Sequence, residues 1–348
     1  MSLEIGGRRI GPAEDVFVVA EIGLNHSGRL SQALELVDAA AWAGASAIKL
    51  QTIDAVRLVA PTCPAPVHVR ARSLVDFFRT FELDEEAHAA VVERARAHGL
   101  AVLSTPFSEG AVPMLERLAL DAYKIASGDI TFDGLIAAVS RTGRPVVIST
   151  GMSTLDEVLR AVSTARHAGA RQLALLHCVS AYPTPVHAQN LQAIVTLARS
   201  AGLPTGLSDH GPGLLSAVAA AALGACLYER HLVLEGDTDA IDRAVSSTPG
   251  ELKAIVGAMR DTKAALGDGI KRVQEAERRN VVPSRRGLYA VRPLRAGQVV
   301  RAEDIAVLRP AAELAPWQLD LLIGTRLRRD VAGGEAFALA DVLEAEPA

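Results

Sequence analysis

The chain is poor in cysteine. Among its 348 residues only Cys63, Cys178 and Cys226 occur, far apart and without pair or zinc-type spacing. That excludes a disulfide scaffold and points to a reducing compartment, read here as the cytoplasm. No sign of charge dominates: 36 Lys and Arg against 40 Asp and Glu leave a formal net charge of -4. Such a balance creates no field that gathers a polyanion, and the pairs Arg285/Arg286 and Arg328/Arg329 are too short to supply one. Nucleic acid is not an expected partner. Long apolar runs are missing too. The segment MSLEIGGRRI has no apolar core of signal-peptide length, and the longest apolar run, around Leu214 to Leu227, is broken by Gly224. No membrane span is expected. What the chain does have is apolar material, 49% hydrophobic against 22% charged residues, enough for one large core and one small one.

From Phe17 to about Leu232 a short apolar run ending in polar residues is followed, again and again, by a longer helical pattern. Eight such runs occur: FVVAEIG, AIKLQT, AVLSTP, AYKIAS, PVVIST, ALLHC, TGLSDH and LYERHL. Strands alternating with helices imply right-handed parallel crossovers, and eight of them predict an α/β fold closed into a (β/α)8 TIM barrel, with a doubly wound open sheet as the rival. Ser31 to Trp42, followed by Gly44, reads as a helix with a serine start, and Ser153 reads as the start of another that stops at Gly169. A final barrel helix spans Pro249 to Leu266. The barrel domain is placed at 1–270, a charged linker at 271–284, and a small module at 285–348. At about 60 residues that module is marginal alone. It reads as LYAVRPL, a turn at Arg295 to Gln298, VVRAEDIAVL, a helical PWQLDLLIG and a hairpin-like unit from Val331 to Phe337.

Polar residues gather at the carboxyl ends of the runs: Glu21, Lys49 with Gln51, Ser104 with Thr105, Lys124 with Ser127, Ser149 with Thr150, His177, Ser208 with Asp209 and His210, and Glu229 with His231. In a (β/α)8 barrel these ends converge on the face that carries active sites, although strand ends are also polar simply where they meet solvent. Three constellations follow. His210 and His231, at neighbouring tips, can share a cation, while a lone strand-end histidine is more often a hydrogen-bonded structural group. Lys49, Lys124, Thr105, Ser127, Ser149 and Ser208 suit a small anion bearing phosphate and carboxylate; a lysine here could instead form a Schiff base. Glu21, Asp129, Asp209 and Asp242 are the acids; Glu21 can orient water or take a proton, and Asp209 is expected to hold the other nitrogen of His210. Glu229 reads as an ion pair with Arg230.

AEIGLNHSG, IKLQT, STPF, YKIASGD, ISTGM, LLHCVSAYPTP, GLSDH and ERH, in that order, resemble the sialic acid synthase family, which includes N-acetylneuraminate, legionaminate and pseudaminate synthases. The tail is similar to that family's antifreeze-like (SAF) domain. The resemblance implies Mn2+ or Mg2+ at His210 and His231, and phosphoenolpyruvate at Lys49, Thr105, Lys124, Ser127, Ser149, Gly151, Ser180 and Ser208. It implies an amino-sugar aldehyde at Gln51, Phe107, Asp129, Tyr182, Asp242 and Arg309, with Glu21, Lys49, Lys124 and Asp242 as catalytic residues. In such enzymes the metal polarises the open-chain aldehyde, C3 of phosphoenolpyruvate attacks it, and water adds at C2 as phosphate leaves. The family forms a domain-swapped homodimer in which the tail's arginine, matched by Arg309, reaches the N-acyl group in the partner's barrel.

This chain departs from the family pattern in four places. Ser180 stands where many relatives have asparagine, and Asp129 where glutamate is common. LRPAAE keeps Arg309 and Pro310 but not the following glycine, and EGDTDAID lacks the usual proline-glycine approach to Asp242. Two other readings are a related synthase acting on a phosphorylated pentose, which the tail argues against, and a catalytically silent sugar- or ice-binding homologue.

Overall fold

The eight apolar runs are strands, and they close on one another. The computed structural model describes residues 3–64 and 71–342, within two compact units, Met1–Gly267 and Asp268–Ala348. The first opens with an antiparallel pair, β1 (Leu3–Ile5) and β2 (Arg8–Ile10). The barrel strands follow: β3 (Phe17–Glu21), β4 (Ala47–Gln51), β5 (Ala101–Thr105), β6 (Ala122–Ile125), β7 (Val146–Ser149), β8 (Leu173–Cys178), β9 (Thr205–Asp209) and β10 (Leu227–His231). All pairings are parallel, and β10 joins β9 on one side and β3 on the other, giving a (β/α)8 barrel.

Helices fill the crossovers: α1 (Leu30–Ala43), α2 (Ala55–Leu58), α3 (Leu74–Arg79), α4 (Glu85–Ala97), α5 (Val112–Arg117), α6 (Asp133–Arg141), α7 (Leu155–His167), α8 (Ala193–Ala201), α9 (Leu215–Ala222) and α10 (Pro249–Leu266). The helix expected to begin at Ser31 begins at Leu30, with no side-chain cap at Arg29, because its entry is fixed by the turn Arg29 N–H to His26 C=O. The start expected at Ser153 falls one residue later. Thr154 caps α7 reciprocally with Glu157, satisfying two backbone donors at once. Thr248, Pro249 and Glu251 start α10 in the same way. Among the described residues no helix is long and apolar enough to cross a membrane.

Buried on both faces, each strand divides its side chains by the period of two. Val18, Ala20, Ile48, Leu50, Val102, Tyr123, Ile125, Ile148, Leu175, Leu207 and Tyr228 face the helices. Phe17, Val19, Ala47, Ala101, Leu103, Ala122, Val147, Ala174, Leu176 and Leu227 fill the barrel, and Leu3, Ile5 and Ile10 of the hairpin belong to the same cluster. The barrel's amino-terminal half is therefore solid, and its polar positions lie in the carboxyl half.

The second unit is not preceded by a plain linker. Its first residues include a turn of 3-10 helix at Glu275–Glu277, where Glu277 accepts from Gln274 N, and α11 (Arg278–Ser284). Strands β11 (Gly287–Ala290) and β12 (Ile305–Leu308) pair antiparallel over a core of Leu288, Leu294, Val300, Leu314, Leu322, Leu327, Val331 and Phe337. The unit contains two buried aspartates, each paired with an arginine: Asp304 with Arg292 at 2.6 Å and Asp341 with Arg329 at 2.6 Å. Each also accepts the backbone N–H three residues earlier, which closes a tight turn.

At Gly206 of β9 the neighbouring strand β10 approaches closely. A Cβ there would lie 2.0 Å from the carbonyl oxygen of Leu227, which is backbone and cannot step aside. Gly206→Ala is expected to cost about 1–3 kcal/mol. Chemical denaturation followed by circular dichroism should place its midpoint clearly below that of the parent chain.

Candidate active site

The inward positions at the carboxyl ends of the strands are Glu21, Lys49, Gln51, Lys124, Ser149, Cys178, Ser208, Glu229 and His231. Together with loop residues they line a cavity of about 450 Å³. The loop contributions include Phe107, Ser127, Ser180, Tyr182, His210 and Asp242. Thirteen of the residues expected from sequence thus share one cavity: Glu21, Lys49, Gln51, Phe107, Lys124, Ser127, Ser149, Ser180, Tyr182, Ser208, His210, His231 and Asp242.

Three expected residues stand beside the cavity. Thr105 is buried on the inner face of β5 with its hydroxyl unpartnered. Gly151 donates its N–H to Ser127 Oγ at 2.9 Å, and a Cβ on it would lie 2.3 Å from Ser180 Oγ, so any larger residue would have to displace that hydroxyl. Asp129 keeps one carboxylate oxygen buried without a partner, and burial raises its carboxyl to about 6 against the attraction of Lys124. Arg309 is exposed and belongs to the second unit.

Four flanking residues turn outward, because the period of two sends every alternate side chain away from the barrel axis. Ser104 bonds Thr52 Oγ1 at 2.7 Å, and Thr150 donates to Leu176 C=O at 3.0 Å. His177 meets the carbonyl of Gln189 at 2.8 Å. Asp209 does not hold His210; it accepts from Tyr228 Oη at 2.7 Å and Ser216 Oγ at 2.6 Å. The same alternation overturns the reading of Glu229 as the partner of Arg230. Glu229 points inward and Arg230 outward, so Arg230 lies against Asp209 while Glu229 joins the cavity.

At the cavity floor four charges are buried together. Lys49 Nζ is in ion contact with Glu21 and lies 3.2 Å from Glu229. Lys124 Nζ donates to Ser149 Oγ at 2.6 Å and lies 3.9 Å from Glu229, which also accepts from Ser208 Oγ at 2.9 Å. The lysines are therefore not two free ammonium groups, as the sequence suggested, but half of a neutral cluster. Burial opposes ionisation of Glu229, yet Lys124 and Lys49 outweigh it and hold the carboxyl at about 2. Burial raises Glu21 despite Lys49 and the N–H of Gly23. Burial disfavours the charge on Lys49, but Glu21 and Glu229 more than restore it. Lys124 is lowered to about 8, chiefly by burial, with Glu229 only partly compensating.

Across the cavity the rings of His210 and His231 are 5.5 Å apart, and Tyr182 lies 4.1 Å from His210, centroid to centroid. His210 Nδ1 faces the carbonyl of Val179 at 3.2 Å, a contact only an N–H can make, which leaves Nε2 as a lone-pair donor. His231 Nδ1 is buried without a hydrogen bond, 3.4 Å from Asp242 Oδ2. Burial lowers both imidazoles and so keeps them neutral. Among the described residues no group of three or more His, Cys, Asp or Glu is arranged around one point as a closed metal cage. Two neutral imidazoles with an orphaned buried nitrogen do fit an open two-histidine site, its other positions left to water and substrate.

Two further groups escaped the sequence reading. Cys178, inward on β8, lines the cavity 3.9 Å from His210 Nδ1. Asn25, fully buried, ties the loop after β3 to the loop after β10: it donates to Leu232 C=O at 2.8 Å and Ser246 Oγ at 2.9 Å, and accepts from Asp242 N at 3.1 Å. The sequence signal for Glu229 was present, since it lies two residues before His231 on one strand; Asn25 stood within AEIGLNHSG without being singled out.

Fold and cavity together define a barrel protein on the plan of an enzyme, with a small β-rich module after it. Residues 36–271 match the NeuB family and residues 285–343 the SAF domain. The chain is 34% identical over 333 residues to N,N'-diacetyllegionaminic acid synthase of Legionella pneumophila, covering 93% of this chain and 94% of that one. It is 32% identical over 331 residues to pseudaminic acid synthase of Campylobacter jejuni, covering 94% and 96%. The crystal structure of a sialic acid synthetase from Leptospira borgpetersenii, in complex with citrate, is similar with a TM-score of 0.73 and 31% identity over 81% of this chain and 95% of that one. The chain belongs to the NeuB, or sialic acid synthase, family.

The depressed Lys124 gives a pH signature. Its cation is present below about 8 and is lost as pH rises through that value. Binding of sulfate, a dianion throughout this range, should weaken gently from pH 6 to 7.5 as Asp129 and Asp242 ionise, and then by at least about tenfold per unit above 8. Isothermal titration calorimetry reads this directly, and Lys124→Arg should move the fall to higher pH.

Proposed function

We propose that this protein is a nonulosonic acid synthase that condenses phosphoenolpyruvate with the open-chain aldehyde of an N-acylated hexosamine and releases phosphate. The observation that carries the reading is one cavity that gathers buried lysines and hydroxyls together with two neutral imidazoles, Tyr182 and Asp242. The names of the relatives, synthases of legionaminic, pseudaminic and sialic acids, point the same way.

Lys124, Ser127, Ser149, Ser180 and Ser208, with Thr105 and Gly151, are assigned to the phosphate and carboxylate of phosphoenolpyruvate, where short hydroxyl donors and a desolvated ammonium bind anions strongly. Lys49 opposes the negative charge from below. A divalent cation, Mn2+ or Mg2+, at His210 and His231 would supply Lewis-acid polarisation of the acceptor's carbonyl. Gln51, Phe107, Asp129, Tyr182 and Asp242 are assigned to the sugar. Exposed Arg309 of the SAF domain is assigned to its N-acyl group, in the partner's barrel of a swapped homodimer.

The reaction joins C3 of phosphoenolpyruvate to the aldehyde carbon, whose oxygen gains a proton. Water adds to C2, and the C2–O bond to phosphate breaks, leaving the 2-keto acid. Asp242, raised to about 7 chiefly by burial, is assigned proton exchange with the reacting groups near neutral pH, and Glu21, raised by burial against the pull of Lys49, is assigned to orient water or accept a proton. Glu229 stays ionised and holds both lysines in place.

Phosphate release is expected only when phosphoenolpyruvate, Mn2+ and an N-acyl hexosamine are all present, with mass spectrometry detecting the nine-carbon-type acid. His210→Ala should lower kcat by at least about 100-fold and Lys124→Ala should raise KM for phosphoenolpyruvate most. No consumption of phosphoenolpyruvate across a panel of N-acylated hexosamines would remove the assignment.

A further inference from the structure

Both imidazoles are carried by backbone that meets one buried guanidinium, and that guanidinium never enters the cavity. Arg230 directly precedes His231, but its side chain is turned out of the barrel and is only 4% exposed. Nη1 donates to the carbonyls of Asp209 at 3.3 Å and Gly211 at 2.5 Å, the residues on either side of His210. Nε donates to Ser247 Oγ at 3.0 Å, and Ser247 N donates to the carbonyl of His231 at 2.8 Å. One planar cation thus grips the chain before and after His210 and the residue that holds His231. Asp209 completes the frame. Besides its two hydroxyl donors it accepts from Gly211 N at 2.8 Å, and its Oδ2 lies 3.5 Å from Arg230 Nη1.

We infer that Arg230 is a positioning residue that sets the separation of His210 and His231, and through it the affinity for a divalent cation. The inference rests on the two-histidine cation site proposed above. A site with only two imidazole donors has no further protein ligand to absorb a misplaced ring, so main-chain placement governs its affinity. Arginine suits this task and lysine does not: the rigid fork reaches three acceptors at fixed angles, whereas an ammonium on a flexible stem satisfies them singly. A simple ion pair with Asp209 would not require those bonds, because Asp209 already has three other donors.

The test is Mn2+ binding, followed by the electron paramagnetic resonance signal of free Mn2+, in the wild type, Arg230→Lys and Ser247→Ala. Phosphoenolpyruvate affinity is measured beside it by calorimetry. The Kd for Mn2+ should rise about 10- to 100-fold in Arg230→Lys and several-fold in Ser247→Ala, with phosphoenolpyruvate binding within about twofold of wild type. A folded Arg230→Lys that binds Mn2+ like the wild type overturns the inference. So does a parallel loss of Mn2+ and phosphoenolpyruvate binding, the mark of general loosening. If Arg230→Lys does not fold, Ser247→Ala decides, and unchanged Mn2+ affinity there overturns it. A wild-type chain that binds no Mn2+ removes the cation reading and this inference together, whereas wild-type binding retained in Arg230→Lys removes this inference alone.

Discussion

The ammonium of Lys49, buried between the carboxylates of Glu21 and Glu229, is the contact on which the upper half of the barrel depends. It joins β4 to β3 and to β10 on the far side of β3, while Lys124 extends the same cluster to β6. Burying four charges is unfavourable, and their mutual attraction offsets desolvation only when the remaining hydrogen-bonding sites are filled. Here Ser208, Ser149 and the N–H of Gly23 fill some of them, while Glu229 Oε2 is buried without a hydrogen-bond partner. An apolar set of equal volume would hold the barrel at least as well, as the lower half of Val19, Leu103, Val147 and Leu176 does. The cluster is therefore better understood as chemical equipment than as a source of stability. Its asymmetry supports that view. Glu229 faces both lysines and stays ionised, while Glu21 shares one of them and is pushed by burial toward the protonated form.

Much of this was legible in the sequence, and the reason is geometric. Eight apolar runs that end in polar residues can converge only if the sheet closes, so the barrel and the face that bears the site followed from one pattern. The pattern does not state which of two adjacent polar residues points inward. Counting by two settles it. His231 on the inner face of β10 requires Glu229 on the same face and Arg230 on the other. Ser208 inward on β9 likewise sends Asp209 out to Tyr228 and Ser216. Where sequence reading failed, neighbours in sequence had been taken for partners in space, as with Glu229 and Arg230, or Asp209 and His210.

Boundaries were harder to read than elements because capping is local and competitive. Ser31 resembles a helix start, yet the chain enters α1 through a backbone turn and no hydroxyl is needed. At α7 the threonine, not the serine before it, has a glutamate three residues on with which to reciprocate. In the second unit, a charged stretch that looks like solvated linker forms helical turns. That unit also buries Asp304 and Asp341, which sequence alone would place on the surface. A small core without disulfides gains from arginine-paired aspartates that close turns, because each satisfies a backbone donor that would otherwise be stranded.

Division of the cavity between strand tips and loops bears on how one scaffold can serve several acceptors. The groups assigned to phosphoenolpyruvate sit mostly on β4–β9 or immediately after them, where packing on both faces leaves little freedom. Gly151, Ser127 and Ser180 are so close that a side chain at Gly151 would displace the two serine hydroxyls. A change there, such as serine for asparagine at 180, is confined to a small and crowded volume. Of the groups assigned to the sugar, Gln51 ends β4, but Phe107, Tyr182 and Asp242 lie in loops, and Tyr182 is half exposed. Loop positions tolerate substitution without disturbing the sheet. Asp242 is the exception that clarifies the arrangement. It lies in a loop but is tied through its own N–H to Asn25, and so to the first strand of the barrel. A carboxyl beside His231 must be placed as firmly as the strand tips.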